Sequence, residues 1–120
     1  MKTILLIEDE SALQKTIGDV LSQEGFSVLS ALDGEAGMRL ATERRPDVIL
    51  LDLILPKANG FDVLKSLQEQ EETKHIPVVV LTNLESMEDI QKALDLGAMA
   101  YLVKSNYTLE EVVEKVKQAL

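Results

Sequence analysis

Two apolar runs of strand length, Ile4-Leu5-Leu6-Ile7 and Val48-Ile49-Leu50-Leu51, both stop at carboxylates: Glu8-Asp9 after the first and Asp52 after the second. A strand covered on both faces reads as an unbroken apolar run, the mark of a buried parallel sheet. An unpaired charge cannot continue into such a core. The acids therefore mark strand ends, and parallel strands bring their C-terminal ends to one rim, where open α/β sheets bind ligands. Three carboxylates gathered on one rim repel each other. A hard cation that prefers oxygen ligands relieves the repulsion, and magnesium is the usual choice.

The rest of the chain keeps the same rhythm. Thr3 to Ile7 reads as a strand, and Leu13, Ile17, Val20 and Leu21 recur at helical spacing up to a stop at Gly25. Ser27 to Ala31 is a short strand with a weaker signal. Asp33 caps a helix running through Ala36 and Leu40 to about Arg44, and Pro46 blocks its continuation. Asp47 to Leu51 is the strongest strand, and Asn59-Gly60 opens a helix with Phe61, Leu64 and Leu67 inward. After Pro77, Val78-Val79-Val80-Leu81 is a β-branched strand. Ser86 with Asp89 starts a fourth helix, whose inner face is expected at Met87, Ile90 and Leu94 and whose end is at Gly97. Ala100 to Val103 is the fifth strand. Thr108 with Glu111 is a capping box for a last helix striped by Leu109, Val112, Val113, Val116 and Leu120. Strands alternating with helices in this way predict a parallel sheet with right-handed crossovers and helices on both faces.

At 120 residues the chain suits one domain, 1–120, with a real core. It stops where the fifth helix should stop, so either a complete single-domain protein or an excision from a longer one is expected. A formal net charge of -9 and the lack of a basic stripe argue against nucleic acid as a direct ligand. The absence of cysteine excludes disulfides, thiol catalysis and zinc-thiolate sites. The run Ile4 to Ile7 is too short for a signal peptide, and no stretch approaches a membrane span. A soluble cytoplasmic protein with no membrane partner is expected. His75, in a charged loop with no second histidine anywhere, reads as solvated.

The strand ends together carry Glu8-Asp9, Asp52, Thr82-Asn83 and Lys104-Ser105. Acids to hold a metal, a hydroxyl and an ammonium suit phosphoryl chemistry. One carboxylate could itself be the nucleophile, as in aspartyl-phosphate formation. Glycine-rich phosphate loops are missing: neither Gly-x-x-x-x-Gly-Lys nor Gly-x-Gly-x-x-Gly occurs. With the run Asp52-Leu53-Ile54-Leu55-Pro56, the Asn59-Gly60 that follows, and Tyr101, the set stands in order on the matching elements. The chain thereby resembles a response-regulator receiver domain of two-component signalling, of the single-domain chemotaxis-regulator kind, over essentially its whole length.

That resemblance implies a flavodoxin-like, doubly wound five-stranded α/β fold in the order 2-1-3-4-5, with Asp9 close to Asp52 where strands one and three adjoin. It implies that Asp52 accepts a phosphoryl group from a phosphohistidine on a sensor histidine kinase or phosphotransfer protein. Magnesium would be held by Asp9, Asp52 and the backbone carbonyl of Ile54, with Glu8 assisting directly or through water. Thr82, the backbone N–H of Asn83 and Lys104 would receive the phosphoryl oxygens. Tyr101 would be an aromatic switch, turning inward as Thr82 moves toward the phosphate. The face of the fourth helix, fifth strand and fifth helix would meet a downstream effector protein or output domain. Such a phosphoacceptor is not an enzyme beyond, at most, slow self-dephosphorylation.

Three positions depart from the family pattern. Glu8 stands where Asp is more usual, Asn83 where Ala or Gly is more frequent, and Ser105 where proline commonly follows the lysine. Proline there favours a cis peptide; Lys104-Ser105 is expected to stay cis despite a cost of roughly 2.5–4 kcal/mol for a non-proline bond, and a trans bond would weaken the Lys104 contact. The resemblance further implies that the residues two after Asp52 and two after Thr82 flank the approach of a hydrolytic water; here they are Ile54 and Leu84, and being aliphatic they predict slow loss of the phosphoryl group. Two other readings compete. A haloacid-dehalogenase-type hydrolase needs a second Asp two residues after Asp52, where Ile54 stands. A phosphorylation-independent adaptor usually lacks an acid or the lysine, and this chain keeps both.

Overall fold

In the computed structural model, which describes residues 1–120, strand and helix alternate throughout. The elements are β1 (Thr3–Ile7), α1 (Ser11–Gln23), β2 (Ser27–Ala31), α2 (Gly34–Arg44), β3 (Val48–Leu51), α3 (Gly60–Glu69), β4 (Val78–Thr82), α4 (Met87–Asp95), β5 (Ala100–Val103) and α5 (Leu109–Ala119), with a short 3-10 turn at Lys104–Asn106. All strands pair in parallel in the order β2-β1-β3-β4-β5. The doubly wound α/β sheet is as expected, and the sequence neighbours β2 and β3 lie on either side of β1.

The pleat divides each central strand between two cores. Leu5, Ile7, Ile49, Leu51 and Val80 pack with residues of α2, α3 and α4, including Ala41, Leu64 and Ala93. Ile4, Leu6, Leu50 and Val79 face the other way and pack with Ile17 and Leu21 of α1 and Val112 and Val116 of α5. This is why β1, β3 and β4 read as continuous apolar runs and not as alternating ones. No helix is long and apolar enough to cross a membrane.

The expected caps form. Asp33 accepts the N–H of Ala36 at 2.8 Å, Asn59 that of Phe61 at 2.8 Å, and Ser86 that of Asp89 at 3.1 Å. Thr108 and Glu111 close a reciprocal capping box. Asp47 falls just outside β3, where its carboxylate accepts the N–H of Thr3 at 2.8 Å and so extends the β1–β3 edge through a side chain.

Two expectations about helix faces are corrected. The stripe Met87-Ile90-Leu94 does not face the core: Met87 is 77% and Leu94 42% exposed, and Ala93 is the buried residue of α4. The helix carries two apolar rows at helical spacing, and the one with the small Ala93, continued by Leu96, allows the closer approach to the sheet. Leu120, expected at the end of the α5 stripe, lies beyond the last turn and is 43% exposed.

Candidate functional site

The register pairs Ile7 with Leu51, so the next residues along β1 and β3, Glu8 and Asp52, leave the sheet side by side. Backbone bonds carry the ladder past the strand ends: Asp52 N–H donates to the Ile7 carbonyl and Glu8 N–H to that of Ala31, both at 3.0 Å. One carboxylate oxygen from each of Glu8, Asp9 and Asp52 lies within 4.8 Å of the others. Glu8 and Asp52 are buried, while Asp9 is exposed. The lysine at the end of β5 reaches across to this group. Lys104 Nζ lies 2.7 Å from Glu8 Oε1 and 2.8 Å from Asp52 Oδ2.

Every remaining oxygen of the two buried acids has a partner. Asp52 Oδ1 accepts the N–H of Ile54 at 3.0 Å, a local turn that folds the chain over its own carboxylate. Glu8 Oε2 accepts the N–H of Glu10 at 3.0 Å. Burial pushes the Glu8 carboxyl above its usual range, and the charge of Asp52 adds to this, against the hydrogen bonds from Lys104 and the Glu10 N–H. Burial also pulls on the Lys104 ammonium, but its bonds to Asp52 and Glu8 outweigh this and hold the proton above the ordinary lysine range. Lys104 is therefore a firm cation, and Glu8 carries the cost of desolvation.

Lys104-Ser105 is not cis, contrary to the expectation: the chain has no cis peptide bond. Nor is the Lys104 contact weakened. The trans bond leads directly into the 3-10 turn at Lys104–Asn106, and the long lysine stem supplies the reach without the cost of a non-proline cis bond.

The loop after Asp52 is held shut by a glycine. Gly60 N–H donates to the Leu53 carbonyl at 3.1 Å, and a Cβ on Gly60 would lie 2.3 Å from Leu53 Cα. Ile54 is left half exposed at 50% and, with Leu84, Leu55 and Phe61, lines an open cleft of about 450 Å³. Gln14 is a contributor that sequence reading passed over. From α1 its Nε2 donates to the carbonyls of Glu8 at 3.1 Å and Ala31 at 2.9 Å, tying the acidic turn to β2. A glutamine beside the apolar stripe of an amphipathic helix carries no signal of that in the sequence.

Thr82, wholly buried, ends β4, and its hydroxyl accepts the N–H of Leu84 at 3.5 Å. Asn83, between them, is exposed. The Tyr101 hydroxyl donates to the Leu84 carbonyl at 2.7 Å. Leu84 thus joins Tyr101 to Thr82 at the end of β4. Burial, then the charges of Asp89 and Asp52, pushes the Tyr101 phenol up from 10.0 to about 12. Because the folded state disfavours the phenolate, this group stabilises the fold below its ordinary pKa, and that contribution is lost as pH rises from 10.0 to about 12. An alkaline absorbance titration is expected to show one late phenol transition that Tyr101→Phe removes. A variant that keeps the late transition and instead loses one at the ordinary value of 10.0 would contradict the half-buried placement.

A model of the response regulator receiver domain family matches residues 4–117. Among curated relatives, the DNA-binding dual master transcriptional regulator RpaA of Synechocystis is 39% identical over 120 residues, which is 100% of this chain and 49% of RpaA. The transcriptional regulatory protein CiaR of Streptococcus pneumoniae is 41% identical over 120 residues, 100% of this chain and 52% of CiaR. The chain spans about half the length of these relatives. Among solved structures, the chemotaxis protein CheY4 of Vibrio cholerae superposes with a TM-score of 0.92 at 28% identity, covering 100% of this chain and 99% of that one. The Mn²⁺-bound form of response regulator Rcp1 gives a TM-score of 0.81 at 32% identity, covering 98% and 91%. With a match running nearly end to end and a rim of acids, lysine and threonine where the sheet order places it, this chain belongs to the response regulator receiver domain family.

Proposed function

We propose that the chain is the phosphoacceptor of a two-component signalling path, taking a phosphoryl group from the phosphohistidine of a sensor kinase or phosphotransfer protein onto Asp52. The observation that carries this reading is the buried Asp52 carboxylate, bonded to Lys104 at 2.8 Å and within 4.8 Å of Glu8 and Asp9. In the transfer, an Asp52 carboxylate oxygen forms a bond to phosphorus while the P–N bond to the imidazole breaks. The imidazole leaves with the bonding pair. Lys104 already stands at Asp52 Oδ2 and neutralises charge on the moving phosphoryl oxygens, with the Thr82 hydroxyl and Asn83 N–H as further donors.

The donor set fits a hard dication. It is all oxygen, and three acids facing one ammonium leave an excess of negative charge. Asp9, Asp52 and the Ile54 carbonyl would hold magnesium, with Glu8 assisting; when bound, the ion neutralises phosphoryl oxygens and orients the donor. The link from Thr82 through Leu84 to Tyr101 supports a switch that reaches the α4-β5-α5 face, where Met87 and Leu94 are exposed. That face is proposed to meet an effector protein or output domain. RpaA is named a DNA-binding regulator, but in this chain a net charge of -9 favours a protein as the immediate partner. Residues 1–120 are proposed to act as one receiver unit in the cytoplasm, where kinases and magnesium are available.

Thermal melting tests the reading. At free magnesium tenfold above its Kd, linkage adds about 1.4 kcal/mol, or several degrees in Tm. Beryllofluoride with magnesium is expected to raise Tm further, and Asp9→Ala to remove both gains. No response of Tm to beryllofluoride and magnesium would favour a phosphorylation-independent adaptor.

A further inference from the structure

We propose that Gln14 of α1 is a positioning residue for phosphoryl acceptance. It fixes the turn between β1 and α1 and so sets where Asp9 stands before any ion or donor arrives; this rests on the reading of Asp52 as the acceptor. The turn has little else to hold it. α2, α3, α4 and α5 each start with a side chain that accepts an N–H of the first turn, whereas Glu10 stands at the start of α1 without such a bond. Asp9, inside the turn, is exposed. Its carboxylate therefore goes where the backbone takes it.

Gln14 supplies what the cap does not. Its backbone N–H opens the helix by donating to the Glu10 carbonyl at 2.9 Å. Its side chain reaches back beyond that point, and Nε2 donates to the Glu8 carbonyl at 3.1 Å and the Ala31 carbonyl at 2.9 Å. A side-chain amide nitrogen has two protons, and here each has its own carbonyl. The β1–β2 register ends at Ile7 with Ala31, and the Glu8 N–H adds one bond to the Ala31 carbonyl at 3.0 Å. Gln14 adds a further rung, made by a side chain. Both ends of the turn are thus tied, Glu8 to β2 and Glu10 to α1, with Asp9 between them. Glu8 is 2% exposed and its carbonyl takes no backbone N–H, so without Gln14 this oxygen lacks a partner at a desolvated position. Relief comes from rolling the carbonyl outward, and Asp9, one residue on, moves with it. A side chain of the same reach without donors cannot prevent that.

A separation of affinity from rate tests this. Magnesium Kd is measured by calorimetry with no donor present, the maximal rate of phosphorylation by acetyl phosphate at saturating magnesium, and Tm without magnesium, for wild type, Q14M and I17V. Q14M keeps the length and loses both donors. I17V takes one methyl group from the core face of the same helix, where Ile17 is 2% exposed, and is a purely structural loss. Both variants are expected to melt lower than wild type. Q14M is expected to weaken magnesium by about five- to tenfold. Its maximal rate is expected to stay within about twofold of wild type, because saturating ion draws the turn back into place. I17V is expected to keep its Kd within about twofold. A Q14M protein that binds magnesium as wild type does, an I17V protein that loses magnesium as Q14M does, or a maximal rate in Q14M that falls as far as the affinity overturns the assignment. Should Q14M fail to fold, judged by its melting curve, Q14A is measured in its place with the same expectations. The two levels stay apart: a wild type that takes no phosphoryl group refutes the acceptor reading, whereas the comparison of Q14M with I17V refutes only the role given to Gln14.

Discussion

Asp52→Asn is expected to abolish phosphoryl incorporation, lowering the yield of adduct from acetyl phosphate and magnesium by about a hundredfold or more, the scale set by loss of a nucleophile. The amide is the same size as the carboxylate, so the loop from Leu53 to Gly60 should keep its closure. Its oxygen can still accept the Ile54 N–H that Asp52 Oδ1 accepts at 3.0 Å. Lys104 keeps Glu8 Oε1 at 2.7 Å and is not left as an unpaired buried charge. What the variant lacks is a nucleophilic oxygen at the end of β3. The two other acids are poor substitutes: Glu8 is committed on both oxygens, and Asp9 is exposed away from the Lys104 pairs. Intact mass of wild type and variant after the same incubation gives the answer. An adduct in the variant at comparable yield would remove Asp52 from the mechanism.

How far the sequence could be read depended on the kind of interaction. β1 and β3 were legible because a strand buried on both faces has no polar residues to confuse the pattern, and the first charge beyond it marks the rim. The grouping on the rim followed, since sheet order turns strand ends into neighbours: Asp52, Lys104, Glu8 and Asp9 do meet. The orientation of α4 was not legible. Periodicity finds apolar rows but not which of two rows lies on the sheet, and a small alanine won over methionine and leucine because it packs closer. The geometry after Lys104 was misjudged because a family habit tied to proline was carried onto serine, which has no reason to keep it. The bonds of Gln14 and the double engagement of Glu8 depend on side-chain distances that no spacing encodes. Fold and charge placement are therefore written in the pattern, whereas the division of labour among the acids is written only in three dimensions.

The lifetime of the phosphorylated state is the property most open to redesign. Hydrolysis of an aspartyl phosphate needs a water in line with the departing carboxylate oxygen, and positioning supplies much of the rate in phosphoryl transfer. We propose that Ile54 and Leu84, two residues after Asp52 and Thr82, border that approach. Ile54 is tied by its own N–H bond to Asp52 and stands 50% exposed. Leu84 lines the same cleft, and its carbonyl is held by the Tyr101 hydroxyl at 2.7 Å. Neither side chain can hydrogen-bond a water, so nothing at these positions orients the attack. We expect slow self-dephosphorylation, suited to a lasting signal or to a separate phosphatase. Ile54→Asn with Leu84→Glu places an amide and a carboxylate at the two positions without touching the Asp52–Lys104 pair. The double variant is expected to lose its phosphoryl group about tenfold faster than wild type, equivalent to about 1.4 kcal/mol in the barrier. The measurement is the decay of phosphoprotein by intact mass after the donor is removed, with magnesium held saturating so that a change in metal affinity does not enter. A double variant that decays no faster than wild type would show that the water is governed by the backbone and Lys104, and that the aliphatic pair is incidental to the lifetime.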